Sequence, residues 1–104
     1  MPRSSPEPAD DERWLVVDGR RWRRQDPSLP DDVRRALLSH LGRGRSGVRA
    51  ARGDDDALAR TRRRTQLAKE GLGERGEPWW EQSADQRRAR WEAALTALDQ
   101  LDES

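Results

Sequence analysis

The chain contains no cysteine, and it also lacks phenylalanine, tyrosine and isoleucine. Without thiols it can form no disulfide, hold no thiolate-bound metal and use no cysteine nucleophile. Its longest apolar run, from Trp14 to Val17, is far shorter than the roughly 20 residues that a membrane-spanning helix needs. Its first residues do not resemble a secretory signal. We therefore expect a soluble, cytoplasmic protein with no membrane partner.

Charged residues are abundant but nearly balanced, since 21 basic residues stand against 20 acidic ones and the formal net charge is +1. Their layout is uneven: basic residues outnumber acidic ones in residues 13–24 and 43–69, and all charged residues after Trp91 are acidic. Such asymmetry is typical of a polyanion-binding surface or of a surface that pairs with a copy of itself. All but one of the bases are arginine, so the codon bias of a GC-rich genome is a third explanation of the excess.

The aromatic residues are five tryptophans, each able to bury about 150–250 Å². Because aliphatic side chains are few for a chain of 104 residues, we expect the tryptophans to organise a thin core. Residues 1–12, polar and rich in proline, are predicted to be a disordered tail, and residues 13–104 a single small domain. Self-association is one way in which so thin a core could bury more surface.

A β-hairpin is the clearest local prediction. Asp18 and Gly19 lie between two β-prone runs and predict a type I′ turn, in which both residues take positive φ. With that turn, Leu15 pairs with Trp22 across the strands and shares one face of the hairpin with Val17. We expect this face to pack on a helix, because an isolated hairpin is marginally stable.

Apolar periodicity and capping residues predict three helices after the hairpin. Ser28 is the expected N-cap of the first, and Ser83 with Gln86 forms a capping box for the last. The glycines from Gly42 to Gly47 cost about 1 kcal/mol each relative to alanine, so the first helix either continues through them or breaks there. Its apolar seam is predicted at Val33, Leu37, Leu41, Val48 and Ala51, with Gly44 counted in the seam. The predicted fold is mainly α, with a small N-terminal β-hairpin, an antiparallel helical hairpin and a C-terminal helix: hairpin 13–24, helices about 29–52, 55–72 and 83–101.

Three strings follow one another along the chain: VVDGRRWR at residues 16–23, DPSLP at 26–30 and GERGEPWWE at 73–81. Together they resemble a family of small actinobacterial proteins whose members often carry the label "biopolymer transporter Tol". The resemblance covers roughly residues 13–95. It implies the small fold given above and assigns no catalytic or binding residue.

Three features suggest chemistry, and a structural role is favoured for each. His40 is the only histidine, and no second type of metal ligand is clustered near it. Glu77 and Glu81 flank a tryptophan pair, but a glycosidase needs two carboxylates converging in a formed cleft. The glycines of residues 71–76 match a dinucleotide fingerprint by letter, yet they follow a predicted helix instead of a strand. We predict a non-enzymatic protein with no catalytic residue, cofactor, metal or small-molecule ligand.

Arginines on the predicted helices form the candidate interaction surface. Four of them fall within about 60° of one another on an ideal helix. We call these the arginine stripe: Arg34, Arg45, Arg49 and Arg52. Arg60 and Arg63 on the next helix and an exposed Trp14 complete the surface. The residues predicted to be structural are Asp18, Gly19, Trp22, Trp79, Trp80 and Trp91.

Two functions follow from this surface. The favoured one is an interaction module that binds another protein or a copy of itself. The alternative is a nucleic-acid-binding accessory protein, in which the arginine stripe follows phosphates and Trp14 stacks on a base. Phosphate binding requires a stripe that faces solvent without acidic partners, whereas a role in the fold or a dimer brings it to Glu92, Asp99 or Asp102. We expect the second arrangement, because it gives the acids of the last helix a role.

Overall fold

The computed structural model describes residues 10–103 and confirms a mainly helical protein with an N-terminal β-hairpin. A one-turn helix precedes the hairpin, and three long helices follow it, with a short 3₁₀ helix before the last. The elements are α1 Asp10–Arg13, β1 Trp14–Val17, β2 Arg20–Arg23, α2 Asp31–Ala50, α3 Asp55–Leu72, the 3₁₀ helix Trp79–Glu81 and α4 Ala84–Glu103.

The predicted disordered tail differs from the structure in its last residues. Residues 1–9 of that prediction lie outside the described residues. Residues 10–12 belong to α1, whose backbone is held by Arg24: the Arg24 Nε donates to the Asp11 carbonyl at 2.7 Å, and the Arg24 backbone N–H donates to the Arg13 carbonyl at 2.7 Å. Sequence polarity did not reveal these contacts, because they come from a residue beyond the hairpin.

The turn of the hairpin has the predicted chemistry. Asp18 has φ 52° and Gly19 has φ 76°, the left-handed values that a type I′ turn requires. The strands are antiparallel, and Leu15 pairs with Trp22 as predicted. Two turn residues and the alternating side chains of the strands are therefore enough to fix the register.

The prediction of which hairpin face packs on the helices was wrong. Leu15, Val17 and Trp22 are 43%, 46% and 45% exposed. The opposite face attaches the hairpin instead, since the Trp14 ring meets the Trp80 ring edge-on, with centroids 5.7 Å apart. Each face of the hairpin carries one indole, so apolar area alone does not decide which face packs. Trp80 lies against Trp14, and the Arg13 and Arg23 guanidinium groups lie 5.2 and 5.8 Å from the centroid of Trp80.

Helix α2 is continuous from Asp31 to Ala50, which settles the question raised by its glycines. A Cβ added at Gly44 would lie 2.3 Å from the Thr65 Oγ1, and one at Gly47 would lie 2.8 Å from the Thr61 Oγ1. These two glycines thus let α3 approach α2 closely, and the order of the contacts makes the helices antiparallel. Close packing offsets the low helix propensity of glycine here.

Two further predictions about α2 were wrong. Pro30, not Ser28, occupies its N-cap position, and no side chain caps this end. The Ser28 hydroxyl and backbone N–H donate to Asp26 instead, and the acids Asp31 and Asp32 favour the helix start through the helix dipole. Val48, predicted in the apolar seam, is exposed, because the contact with α3 extends from Gly44 of that seam toward Gly47 and away from Val48.

Helix α3 lies between α2 and α4, and the core fills both contacts. Asp54 caps its start by accepting from the Ala57 backbone N–H at 3.1 Å, and Gly73 ends it with φ 90°. The capping box of α4 is confirmed, since Ser83 and Gln86 each donate a backbone N–H to the other's side chain. The core consists of Leu29, Leu37, Leu41, Leu67, Ala68, Leu72, Trp91, Ala94 and Leu98.

Candidate interaction surface

A buried carboxylate attaches the segment after the hairpin to the rest of the protein. Asp26 is 1% exposed and accepts from the Ser28 hydroxyl at 2.6 Å and from the Ser28 backbone N–H at 2.8 Å. It also pairs with the guanidinium groups of Arg90 at 2.7 Å and Arg87 at 3.4 Å. Burial by itself would raise the pKa of Asp26, but the hydrogen bonds from Ser28 and Arg90 outweigh it and hold the pKa below its usual value.

The buried tryptophan beside this carboxylate completes the attachment. Trp79 is 2% exposed, and its Nε1 donates to the Arg24 carbonyl at 2.9 Å. Its ring meets the Trp80 ring edge-on at 5.1 Å, so three indoles run from Trp14 on the hairpin through Trp80 to Trp79. A Cβ added at Gly73 would lie 3.2 Å from both Asp26 and Trp79, so the DPSLP and GERGEPWWE strings lie against each other here, and both have a structural role.

With one side of the hairpin attached, the other side stays open. Leu15, Val17 and Trp22, which we call the hairpin face, form the apolar wall of a groove of about 680 Å³. Its remaining lining is polar and mainly basic: Arg23, Arg24, Gln25, Asp26, Pro27, Arg34, Arg45, Lys69 and Glu74. Of the two acids in this lining, Asp26 is paired with arginines as described, whereas Glu74 accepts from the neutral side chain of Gln25 at 3.2 Å and keeps its charge. We call this the hairpin groove.

A second groove, of about 390 Å³, lies where α2 turns into α3. We call it the arginine groove, and its lining contains no carboxylate: Arg45, Val48, Arg49, Arg52, Gly53, Leu58 and Arg62. Arg45 lines both grooves, so the two are adjacent. We call the two grooves together the joined surface. This surface carries apolar and cationic side chains together.

The structure places all four members of the arginine stripe on this joined surface. Arg34 lies in the hairpin groove, Arg49 and Arg52 lie in the arginine groove, and Arg45 lies in both. Arg34 is half-buried, and the other three are exposed. Within residues 10–103 none of the four forms an ion pair.

The expectation that the arginine stripe meets the acids of the last helix was wrong within the chain. Asp102 pairs with Arg64 and, at 3.7 Å, with Arg43, while Glu92 pairs with Arg88 on its own helix at 3.4 Å. The cause lies in the order of the helices, because α3 separates α4 from most of α2. The acids therefore meet the arginines nearest to them, and the stripe faces outward.

The single histidine belongs to this acidic end of the bundle. His40 is buried, and its Nδ1 lies 2.8 Å from the Arg43 Nη2 and 2.9 Å from the Arg64 Nη1. Guanidinium groups only donate, so Nδ1 accepts and the ring is neutral. Burial, reinforced by the charges of Arg43 and Arg64, lowers the pKa of His40 below its usual value of 6.5. The surroundings explain His40 as part of the packing between the helices.

Other residues chosen from the sequence lie apart from the joined surface. Arg60 and Arg63 are exposed on α3 but line neither groove, and Trp14 is half-buried against Trp80 with the Arg21 guanidinium 4.4 Å from its ring centroid. Lys69 and Arg62 line the grooves instead. Arg62 could have been predicted from helical spacing, because it follows the groove residue Leu58 by one turn and shares its face of the helix. No sequence signal marks Lys69 as a groove residue.

Other kinds of site find no support in the part of the chain that the structure describes. Glu77 and Glu81 are exposed, and Glu77 accepts from the side-chain amide of Gln82 at 3.2 Å. Over residues 10–103, no group of three or more acids and histidines is placed to hold a metal ion. No helix in the same range is both long and apolar enough to cross a membrane.

The exposed hairpin face and the joined basic surface must be interpreted from the chain's own geometry. Comparison with protein-family models, with curated proteins and with solved structures gives no match to this chain.

Proposed function

We propose that this chain is a non-enzymatic interaction module that docks another protein on its hairpin face. The proposal rests on one observation: three large apolar side chains of the hairpin remain about half exposed while the opposite face attaches the hairpin to the helices. Covering the exposed half of each of these three side chains would contribute on the order of 1 kcal/mol to the free energy of binding. Three such contributions raise an association constant roughly a hundredfold, enough to distinguish a specific partner from a random encounter.

The neighbouring valines of β1 provide a matched test. Val17 lies on the hairpin face, Val16 lies on the opposite face, and both are exposed, so serine at either position leaves the packed interior intact. We expect proteins retained from a lysate of the source cell by the wild-type chain to be retained by Val16→Ser as well. They should be lost with Val17→Ser and with Trp22→Ser. Equal retention by all four chains would show that docking does not use this face.

Self-association through the same face belongs to this proposal as its second form. Sedimentation equilibrium of the wild-type chain distinguishes the two forms. A dimer that dissociates in Val17→Ser but persists in Val16→Ser assigns the face to a second copy, whereas a monomer with a face-dependent partner assigns it to another protein.

Nucleic-acid binding is the second candidate, and the arginine groove supports it. Arg49, Arg52 and Arg62 line this groove without a carboxylate, and in the adjacent hairpin groove Trp22 is half-exposed, with the Arg20 guanidinium 4.9 Å from its ring centroid, so a base could stack on its open side. Fluorescence anisotropy with labelled single-stranded and duplex DNA tests this function. Micromolar or tighter binding at physiological salt, lost in Arg49→Glu/Arg52→Glu, would favour it over protein docking. Binding weaker than about 10 μM, toward the weak end of the non-specific range of about 1–100 μM, would count against it.

A further inference from the structure

We propose that the occupant of the joined surface is an acidic amphipathic helix of a partner protein, an inference that rests on the docking function proposed above. The two grooves share Arg45 and together offer an apolar wall at one end and apolar residues among arginines at the other. Val48 and Leu58 supply these apolar residues in the arginine groove. An occupant that covers both grooves therefore needs apolar side chains along its length, with acidic side chains beside them.

The charge of the surface specifies acids on the occupant. The four arginines of the stripe have no ion pair within residues 10–103, and five basic residues line the hairpin groove against two carboxylates, of which Asp26 is already paired with Arg87 and Arg90. A partner that brings apolar groups alone would leave a row of cations beside a desolvated surface. Carboxylates on the partner remove that cost and also direct its approach through the complementary potential.

Backbone hydrogen bonding favours a helix over an extended segment. The open part of the hairpin is its face, where side chains project, and these apolar side chains cannot pair with the backbone of an added strand. An occupant on this face must satisfy its own backbone groups, which a helix does. Helix α2 lines both grooves, and from Arg34 to Arg49 it advances 15 residues, or roughly 22 Å at about 1.5 Å per residue. A helix of about 15 residues matches that length.

A second copy of the chain fits this surface poorly. Within residues 10–103, the large apolar side chains that remain exposed all lie on the hairpin or α2. Arginines adjoin them, so docking one such patch on another sets arginine against arginine. The acids of α4 do not help, because its largest apolar side chains, Trp91 and Leu98, are buried in the core. Residues 10–103 therefore contain no exposed segment that combines apolar and acidic residues in the way the surface requires.

A displayed library of random 16-residue helical peptides, selected on the full chain, tests the inference. We expect the enriched peptides to carry a net negative charge, with apolar residues at helical spacing. The double variant Arg34→Glu/Arg45→Glu should weaken their binding at least about tenfold, because two charges change sign. The double variant Arg35→Glu/Arg88→Glu, which makes the same charge change outside both grooves, should leave affinity within about twofold.

The remaining outcomes separate this inference from the docking function. Neutral or basic peptides that bind in a Trp22-dependent manner would overturn the acidic helix while leaving docking on the hairpin face intact. A library with no enriched peptide would overturn both. Displacement of the selected peptides by micromolar nucleic acid would assign the surface to phosphates, and a Trp22-dependent dimer in sedimentation would assign it to a second copy; either result overturns the inference.

Discussion

Replacing the buried Asp26 by asparagine should destabilise the protein far more than its single charge suggests. Asparagine keeps the shape and can still accept from Ser28 through its oxygen. Its amide nitrogen then faces the Arg90 Nη2, which lies 2.7 Å from the carboxylate oxygen in the wild type, and two donors oppose each other there. Arg90 and Arg87 lose their common counter-charge in a largely buried place. Removing one partner of a buried ion pair costs about 3–5 kcal/mol.

Urea denaturation followed by circular dichroism measures this loss. With an m-value of about 1–1.5 kcal/mol per molar, the midpoint should fall by roughly 2 M or more at pH 7. Glu92→Gln is the matched control, because it removes a carboxylate from an exposed pair with Arg88 and should cost about 0.5 kcal/mol or less. A loss below about 1 kcal/mol for Asp26→Asn would show that this carboxylate does not attach the segment after the hairpin to α4.

The same carboxylate predicts how stability depends on acid. Because the folded protein holds the pKa of Asp26 below its ordinary value of 3.8, its contribution is fully present above that value. The contribution disappears as the pH falls from 3.8 through the lower pKa of the folded state. The Asp26→Asn variant should lack this component, so the difference in free energy of unfolding between wild type and variant should shrink in that range.

Four further substitutions test other parts of the fold. Gly42→Ala should stabilise the protein by up to about 1 kcal/mol, since nothing lies within 4 Å of an added Cβ there. Gly44→Ala should destabilise the protein by about 1–3 kcal/mol, because α3 is too close to an added Cβ. Chemical denaturation of both variants measures the two effects. Because the pKa of His40 is lowered in the folded protein, the free energy of unfolding should fall as the pH drops below 6.5. His40→Gln should remove this dependence on pH. An imidazole that titrates above pH 6.5 by NMR would contradict a lowered pKa. Trp79→Ala should cost about 3–5 kcal/mol in thermal and urea unfolding, and a loss under 1 kcal/mol would mean that the ring is not buried in solution.

Local chemistry was sufficient to predict some elements of the fold. The turn at Asp18 and Gly19 follows from φ preferences, and the start of α4 follows from the pairing of Ser83 with Gln86. These features depend on residues within four positions of one another. Their energetics are contained in a short stretch of sequence, so the sequence alone predicts them.

Features that depend on distant contacts could not be predicted in the same way. The hairpin presents the face of Leu15 to solvent because Trp80, 65 positions later, packs on its other side. Ser28 was predicted to cap a helix. An aspartate two residues before a serine is also typical of a turn in which the aspartate side chain accepts hydrogen bonds from the serine, as Asp26 does here. That local signal could have identified Asp26 as an acceptor. Its pairing with Arg90 is visible only in three dimensions.

The two tryptophans of the hairpin test the central claim, that one face attaches the hairpin and the other is free to dock a partner. The measurement is the free energy of unfolding of Trp14→Ala and Trp22→Ala relative to the wild type. Trp14 contacts Trp80, so its loss should cost about 2–4 kcal/mol. Trp22 is 45% exposed and contributes a cross-strand pair with Leu15 and a contact with the Arg20 guanidinium, 4.9 Å from its ring centroid, so its loss should cost about 1–1.5 kcal/mol. A loss at Trp22 equal to or greater than the loss at Trp14 would mean that the hairpin face packs on the helices and is not free to bind a partner.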